Sequence, residues 1–167
     1  MKTLLLMRHG KSSWKDESLA DHERPLKKRG KKDSKRIAKV MLHNDLMPDL
    51  ILSSSAVRAK ETVEIIVDTL DYTKKIVYLD ELYMGEPLDF IKILEALSDD
   101  YNTVLIVGHN PGLEAYLQII DGEIEALPTA GLGHLVLVID HWNELSFDTM
   151  GDLVGFWTPK TLEEKKK

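Results

Sequence analysis

The sequence predicts an α/β fold with three layers, in which a mostly parallel central sheet is flanked by helices. Two observations support this prediction. Short apolar runs with strand character alternate along the chain with longer segments whose apolar residues recur at helical spacing. The 167 residues contain no internal repeat and suit a single domain. We expect that domain to span residues 1–160 and a charged, frayed tail to occupy residues 161–167.

The first half of the chain supplies two strands and two helices. Residues 4–7 are a continuous apolar run, and the polar, non-periodic residues 11–24 that come after it predict a long loop. Pro25 is expected to begin a helix with a modest apolar stripe and a largely basic opposite face. Residues 50–52 predict a second buried strand, and residues 56–70 predict the helix that follows it.

The middle of the chain continues the alternation. Residues 76–79 are a strand candidate, and residues 87–97 have apolar side chains at helical spacing. Residues 104–107 predict another buried strand. A helix is expected from Pro111, with Asn110 as its cap and the proline at its first position.

Two last strand candidates, residues 135–139 and 145–149, close the predicted sheet. In such sheets ligands bind beyond the carboxyl ends of the strands. His9 and His109 each follow directly after a predicted strand, and Arg58 follows a serine loop at the end of another. We therefore expect these three side chains to converge on one site.

The composition limits the classes of function. The chain has no cysteine, which excludes disulfides, thiolate metal sites and cysteine nucleophiles. The net charge of -6 argues against general nucleic-acid binding. Residues 8–39 nevertheless carry 12 Lys or Arg against 5 Asp or Glu, a local excess that attracts anionic substrates. No apolar run suits a bilayer span or a secretory signal, so we expect a cytoplasmic protein without a membrane partner.

Arg58 carries the clearest signal for an anionic ligand. It is expected in the first turn of its helix, where the macrodipole disfavours a cation by about 0.3–1 kcal/mol unless an anion is bound. Free amides at a helix start bind phosphate, and a guanidinium adds two charge-assisted hydrogen bonds. Together with Arg8, His9 and His109 this favours phosphoryl transfer over a metal site, and no cofactor is expected. The other four histidines are expected to be surface or structural residues: His22, His43, His134 and His141.

Several short motifs follow one another in a characteristic order. They are Arg8-His9-Gly10, Arg24-Pro25-Leu26 with Gly30, Ser53 through Arg58-Ala59 with Glu61-Thr62, Glu81-Leu82-Tyr83, and Gly108-His109-Asn110-Pro111. This ordered set resembles the histidine phosphatase superfamily, which includes the phosphoglycerate mutases, and within it the short SixA-like phosphohistidine phosphatases. The resemblance covers most of the chain and implies a phosphoglycerate mutase-like fold. Lys27 departs from the pattern, since relatives commonly have threonine there.

The resemblance implies covalent catalysis on His9. His9 would attack phosphorus and become a phosphohistidine, which water then hydrolyses. Arg8, Arg58 and His109 would hold the phosphoryl oxygens and stabilise the charge of the transition state. Gly10 would let the backbone approach the bound phosphate, and a carbonyl near it would fix one ring nitrogen of His9.

The general acid and the substrate follow less directly. Glu81 matches in placement the carboxylic acid that protonates the leaving oxygen in larger relatives, but a phosphoramidate needs less acid assistance. The chain has little room for insertions over the pocket, so an open pocket suited to a phosphorylated protein side chain is expected. The leading hypothesis is a metal-independent phosphatase of protein phosphohistidine. A phosphatase of small phosphorylated metabolites is the alternative enzyme, and a non-catalytic phosphate-binding adaptor is the alternative from another class.

Overall fold

Six strands form one mixed sheet in the computed structural model, which describes the backbone of residues 1–165 and the side chains of residues 1–163. In sheet order the strands are β3 (Lys75–Leu79), β2 (Leu50–Ser54), β4 (Thr103–Gly108), β1 (Lys2–Arg8), β5 (Leu132–Leu137) and β6 (Gly151–Trp157). The first four are parallel, whereas β5 and β6 join through antiparallel pairings. The predicted α/β class with a mostly parallel sheet is confirmed.

Helices cover both faces of this sheet and bury its alternating apolar side chains. They are α1 (Lys28–His43), α2 (Val57–Leu70), α3 (Pro87–Glu95), α4 (Gly112–Asp121) and α5 (Pro159–Lys165). Leu5 and Met7 of β1 pack in one cluster with α1, α2 and α5, while Leu4 and Leu6 pack in another with α3 and α4. Because successive side chains of a strand point to opposite faces of the sheet, β1 contributes to the hydrophobic cores on both sides of the three-layer structure.

The register of the central strands brings the predicted motifs together. Arg8 at the end of β1 lies opposite Gly108 at the end of β4. The His9 backbone N–H continues the pairing and donates to the Gly108 carbonyl at 3.1 Å. On the other side of β4, Ser53 of β2 pairs with Val107. Three strand ends therefore meet at one edge of the sheet, as the sequence predicts.

The first helix begins three residues later than predicted. Pro25 lies in the preceding segment, where its carbonyl accepts a hydrogen bond from the Ser13 N–H at 2.8 Å. Leu26 forms a β-bridge with Ser12, and its N–H donates to the Glu61 side chain at 2.8 Å. These tertiary hydrogen bonds hold the segment extended, so α1 starts only at Lys28.

The start of α4 also differs from the prediction. Its first residue is Gly112, and Pro111 stands at the capping position rather than at the first helical one. Asn110 still accepts a hydrogen bond from the Glu114 N–H through Oδ1, at 3.3 Å. The expected contribution of its side chain to the helix start is therefore present, one residue further from the helix.

The prediction of a strand at residues 145–149 is wrong. Leu145 is 3 % exposed and fills the core beside Trp142. Its apolar character therefore reflects packing in the core and not pairing in the sheet. Ser146 and Thr149 bond to each other in a turn, with the Ser146 N–H donating to Thr149 Oγ1 at 2.9 Å. The closing strand is β6, which contains two glycines and gives a weak strand pattern.

The C-terminal segment is helical as far as the structure describes it. Helix α5 continues to Lys165, and Leu162 packs against the core beneath α1 and α2. Glu163 accepts a hydrogen bond from Arg36 at 2.8 Å. Residues 166–167 of the predicted tail lie outside the described residues. Within the described chain, no helix combines the length and the apolar character that crossing a membrane requires.

Candidate active site

The three strand ends border a cleft of about 350 Å³. Both motif histidines and three arginines line it: Arg8, His9, Arg24, Arg58 and His109. A larger groove, of about 500 Å³, runs along the outer face of α1 and is lined by none of the motif residues that carry chemistry. We place the candidate site in the smaller cleft because its polar groups converge there. The described residues include no group of three His, Cys, Asp or Glu arranged to hold a metal ion.

His9 is held at the floor of the cleft in a defined tautomer. Its side chain is 6 % exposed, and Nδ1 lies 2.6 Å from the carbonyl oxygen of Gly10. A carbonyl can only accept, so Nδ1 carries the proton. Nε2 therefore keeps its lone pair, and Arg58 Nε donates to it at 3.4 Å. The ring thus presents an unprotonated nitrogen beside a cation.

Burial keeps this imidazole neutral. The pKa of His9 is lowered to about 4, mainly by desolvation; the Gly10 carbonyl acts against this shift, and the positive charges of Arg58 and Arg8 add to it. At neutral pH the ring is uncharged. Only an uncharged imidazole has a free lone pair, so His9 meets the first requirement of a nucleophile.

His109 lies beside His9, and its ring contacts a serine. The two rings are 4.9 Å apart, and His109 is 2 % exposed. Its Nε2 lies 2.8 Å from Ser54 Oγ, which itself accepts from the Ala56 N–H at 3.1 Å. With the serine proton directed to Nε2, Nδ1 carries the ring proton. Within the described chain this Nδ1 is buried without a partner.

The pKa of His109 is also lowered, to about 3, chiefly by burial and then by the proximity of His9 and Arg58. His109 is therefore a neutral N–H donor at physiological pH. Ser54, which sets this tautomer, was part of a matched motif but was not expected to have a role. A buried histidine after a strand needs a hydrogen-bond partner, and the adjacent serine run was the available signal.

The arginines supply the positive charge of the cleft. Arg58, in the first turn of α2, is 4 % exposed. Its Nη1 donates to the Asp21 carbonyl at 2.7 Å and its Nη2 to Asp21 Oδ2 at 3.0 Å. Arg8 Nη1 donates to the Leu127 carbonyl at 3.2 Å, whereas its Nε is buried without a partner in the described chain. Burial lowers the pKa of Arg8, with Arg58 acting in the same direction and Glu114 against it.

Asp21 links these groups and was not foreseen. It opens the one-turn helix Asp21–Glu23 in the long loop. Its carboxylate accepts from Arg24 at 2.9 Å, from Arg58 at 3.0 Å, and from the Tyr83 hydroxyl. The Tyr83 bond is the main reason that the pKa of Asp21 is well below its usual value. The i, i+3 spacing of Asp21 and Arg24 was the only local signal.

Glu81 is not brought to the cleft. It is exposed on the one-turn helix Asp80–Leu82 after β3 and does not line the cavity. Tyr83, two residues later, reaches the site instead. His22 was expected to be a surface or structural residue. It lies at the rim, with Nε2 2.9 Å from Ser55 Oγ and its ring 4.8 Å from that of Tyr83.

Gly10 supports the site from behind instead of facing the ligand. Its carbonyl holds His9, and its N–H donates to Thr62 Oγ1 at 3.1 Å, so neither group is free for phosphate. A Cβ at this position would lie 2.5 Å from Ser34 Oγ and 2.6 Å from the Gly30 carbonyl oxygen. The expected phosphate contact of Gly10 is thus replaced by a positioning role.

Comparisons with known proteins identify relatives of this chain. The chain is 30 % identical over 152 residues to an uncharacterised chloroplastic protein of Arabidopsis thaliana, covering 86 % of this chain and 70 % of that protein. It is 30 % identical over 165 residues to an uncharacterised protein of Mycobacterium tuberculosis, covering 92 % and 100 %.

Among solved structures, a candidate phosphohistidine phosphatase SixA from Agrobacterium tumefaciens superposes with a TM-score of 0.82 and 28 % identity, over 95 % of this chain and 98 % of that one. A protein histidine phosphatase SixA complexed with tungstate gives 0.80 and 22 % identity, over 96 % and 99 %, and supports the fold. The family model of the histidine phosphatase superfamily (branch 1) matches residues 4–87, which include His9 and Arg58. The chain therefore belongs to the histidine phosphatase superfamily, branch 1.

Proposed function

We propose that this protein is a metal-independent phosphatase that removes the phosphoryl group from phosphohistidine on a protein, through a covalent intermediate on His9. The observation that carries the proposal is the state of the His9 ring. Its Nδ1 proton is held by Gly10, and its Nε2 lone pair lies in a cleft lined by arginines. A residue that only bound phosphate would need a proton at that nitrogen, whereas a nucleophile must lack one.

In the first step His9 Nε2 forms a bond to phosphorus while the bond from phosphorus to the substrate nitrogen breaks. When the other ring nitrogen of the substrate is protonated, the substrate imidazole leaves as a neutral molecule and needs no further proton. Nδ1 of His9 retains its own proton against the Gly10 carbonyl. The guanidinium groups of Arg8 and Arg58 offset the charge on the phosphoryl oxygens.

In the second step water attacks phosphorus, the bond to Nε2 breaks, and inorganic phosphate leaves with the protons of the water. The His9 ring is released from phosphorus as a neutral imidazole. Its environment favours this form because the pKa of His9 is lowered to about 4. The unpartnered Nδ1–H of His109 is suited to donate to a phosphoryl oxygen in both steps.

The carboxyl groups in and near the cleft are poor proton donors to a leaving group, which favours phosphohistidine over an alkyl phosphate ester as the substrate. An alkoxide leaving group requires a proton donor. Asp21 is the only carboxyl among the described residues that line the cleft, and its lowered pKa keeps it ionised. Glu81 lies outside. A phosphoramidate does not need the missing acid, since imidazole is a far better leaving group.

The experiment compares turnover of a phosphohistidine-bearing protein with turnover of a panel of sugar and nucleotide phosphates, all in EDTA. We expect phosphohistidine to be hydrolysed at least 100-fold more efficiently, about 3 kcal/mol in transition-state stabilisation. Rapid quenching in alkali would trap an alkali-stable, acid-labile phosphoryl group on the wild type and none on His9→Ala. A strong preference for one small ester would overturn the substrate assignment. Full activity of His9→Ala would overturn the covalent mechanism.

A further inference from the structure

An exposed indole at the mouth of the cleft has no part in the proposed chemistry. Trp14 is 74 % exposed, yet it lines the same cavity as His9. The Arg24 guanidinium carbon lies 3.2 Å from the centre of its ring. One face of the indole is thus covered by a cation, and most of the remaining surface of Trp14 is open to solvent.

The stacked guanidinium is itself fixed. Arg24 is 6 % exposed, and its nitrogens donate to the Ser13 carbonyl at 3.1 Å, to Asp21 Oδ1 at 2.9 Å and to Ser12 Oγ at 2.5 Å. These bonds face the loop, so Arg24 serves as a rigid base for Trp14. An aromatic side chain that is both exposed and fixed in place loses little entropy when a partner covers it.

A second apolar side chain borders the same cavity. Met84 is 50 % exposed and has a φ of 56° in the left-handed region, which a non-glycine residue adopts only when its surroundings impose it. Trp14 and Met84 extend the recognition surface beyond the space that a phosphoryl group occupies. Aromatic side chains and methionine are enriched at protein interfaces.

The charge of the cleft indicates the sign of the partner. Five cationic side chains and one carboxylate line it, a surplus of four positive charges with both histidines neutral: Arg8, Lys11, Arg24, Lys27, Arg58 and Asp21. A phosphoryl dianion offsets about two of these charges. The remainder is complementary to acidic residues near the phosphorylated side chain.

We infer that Trp14 is a specificity residue that binds the polypeptide flanking the phosphohistidine, and that the preferred flanking sequence is acidic. This inference rests on the proposed function. Trp14 would bury its open surface against the substrate chain while His9 reaches the phosphoryl group. Free phosphohistidine, which has the same leaving group and no flanking chain, would not use that contact.

The test compares kcat/KM for free phosphohistidine with that for a peptide that carries phosphohistidine between acidic residues. We expect the wild-type kcat/KM to be at least tenfold higher for the peptide than for free phosphohistidine. In Trp14→Ala this ratio should fall about tenfold, through a higher KM for the peptide. Met150→Ala is the matched control, because Met150 is 76 % exposed and does not line the cleft. It should keep the wild-type preference. A peptide with basic flanks should be a poorer substrate for the wild type than the acidic one.

The outcomes separate the two proposals. An equal loss for peptide and free phosphohistidine in Trp14→Ala would overturn the inference, because Trp14 would then act through the loop or the leaving imidazole. An unchanged preference would overturn it as well. Wild-type protein that hydrolyses neither phosphohistidine substrate but cleaves an alkyl ester would instead refute the proposed function.

Discussion

His9 and His109 make the free energy of unfolding of the protein depend on pH. Burial lowers the pKa of His9 to about 4 and the pKa of His109 to about 3, against 6.5 for an exposed histidine. Between pH 6.5 and these values the unfolded chain binds more protons than the native one. The free energy of unfolding therefore falls as the pH falls through that window.

We predict that each histidine contributes up to about 1.4 kcal/mol per pH unit to this decrease. Denaturant titrations at several pH values between 4 and 7 measure it. The double variant His9→Asn, His109→Asn should have a flatter dependence, whereas replacement of the exposed His43 should leave the slope as it is. An equally steep slope in the double variant would show that these histidines are not buried in the neutral form.

The acid limb of kcat/KM should likewise lie near pH 4 rather than near 6.5, because this ratio reports the free enzyme.

Asp21 has two opposing effects on the geometry and the charge of the cleft. Its carboxylate orients the Arg58 guanidinium, and its negative charge also weakens the attraction of the cleft for an anion. We predict that Asp21→Asn lowers kcat about tenfold, because Arg58 loses a charged partner, while KM for a phosphorylated substrate falls or stays constant. Steady-state kinetics measure both quantities.

Glu23→Gln is the matched control for this variant. Glu23 belongs to the same one-turn helix but pairs only with His22 among the described residues. The variant Glu23→Gln should therefore keep kcat within twofold of the wild-type value. A wild-type kcat in Asp21→Asn would mean that Asp21 does not position Arg58.

The junction between β1 and α1 decides the position of His9. A Cβ on Gly30, in the first turn of α1, would lie 2.1 Å from the carbonyl oxygen and 2.7 Å from the nitrogen of Lys11. Both neighbours are backbone atoms, so they cannot rotate away as a flexible side chain could. The close approach requires glycine for lack of space and not for its conformational freedom.

We predict that Gly30→Ala lowers the free energy of unfolding by about 1–3 kcal/mol, in spite of the better helix propensity of alanine. It should also lower kcat more than KM rises, because a shift of Lys11 moves Gly10 and the carbonyl that holds His9. Denaturant unfolding and steady-state kinetics test the two parts. Lys31→Ala changes the next residue of α1 on its exposed side and should alter neither quantity appreciably. Wild-type stability of Gly30→Ala would contradict the packing argument.

Charge is distributed unevenly over the protein. The chain has a net charge of -6, but the cleft is lined mainly by cations. Long-range attraction between the cleft and an anionic substrate is therefore screened by salt, whereas chemistry inside the cleft is not.

We predict that raising the ionic strength from about 20 mM to about 300 mM lowers kcat/KM for a phosphorylated peptide several-fold and leaves kcat nearly constant. Lys27→Ala should show a shallower salt dependence, because Lys27 lines the cleft. Lys39→Ala, on the outer face of α1, should keep the wild-type slope. A salt effect on kcat alone would argue against steering.

The α/β class follows from the sequence alone, as do, in outline, five of the six strands and four of the five helices of the described residues. These follow from local patterns, since alternating apolar runs and helical spacing are set by neighbouring residues. The sequence also predicted that His9, Arg58 and His109 converge, because the ends of parallel strands share one edge. The missed strand β6 and helix α5 have weak patterns and are stabilised by packing against the rest of the chain.

The groups that complete the site are brought together by tertiary contacts. Asp21 and Tyr83 are 62 residues apart, and their hydrogen bond exists because the long loop folds back over the sheet edge. The same loop carries Trp14 to the cleft, whereas Glu81 lies outside it. Hydrogen bonds between distant loops leave no periodic signal in a sequence. For that reason the convergence of the motif residues at one sheet edge could be predicted, whereas the residues that orient and surround them could not.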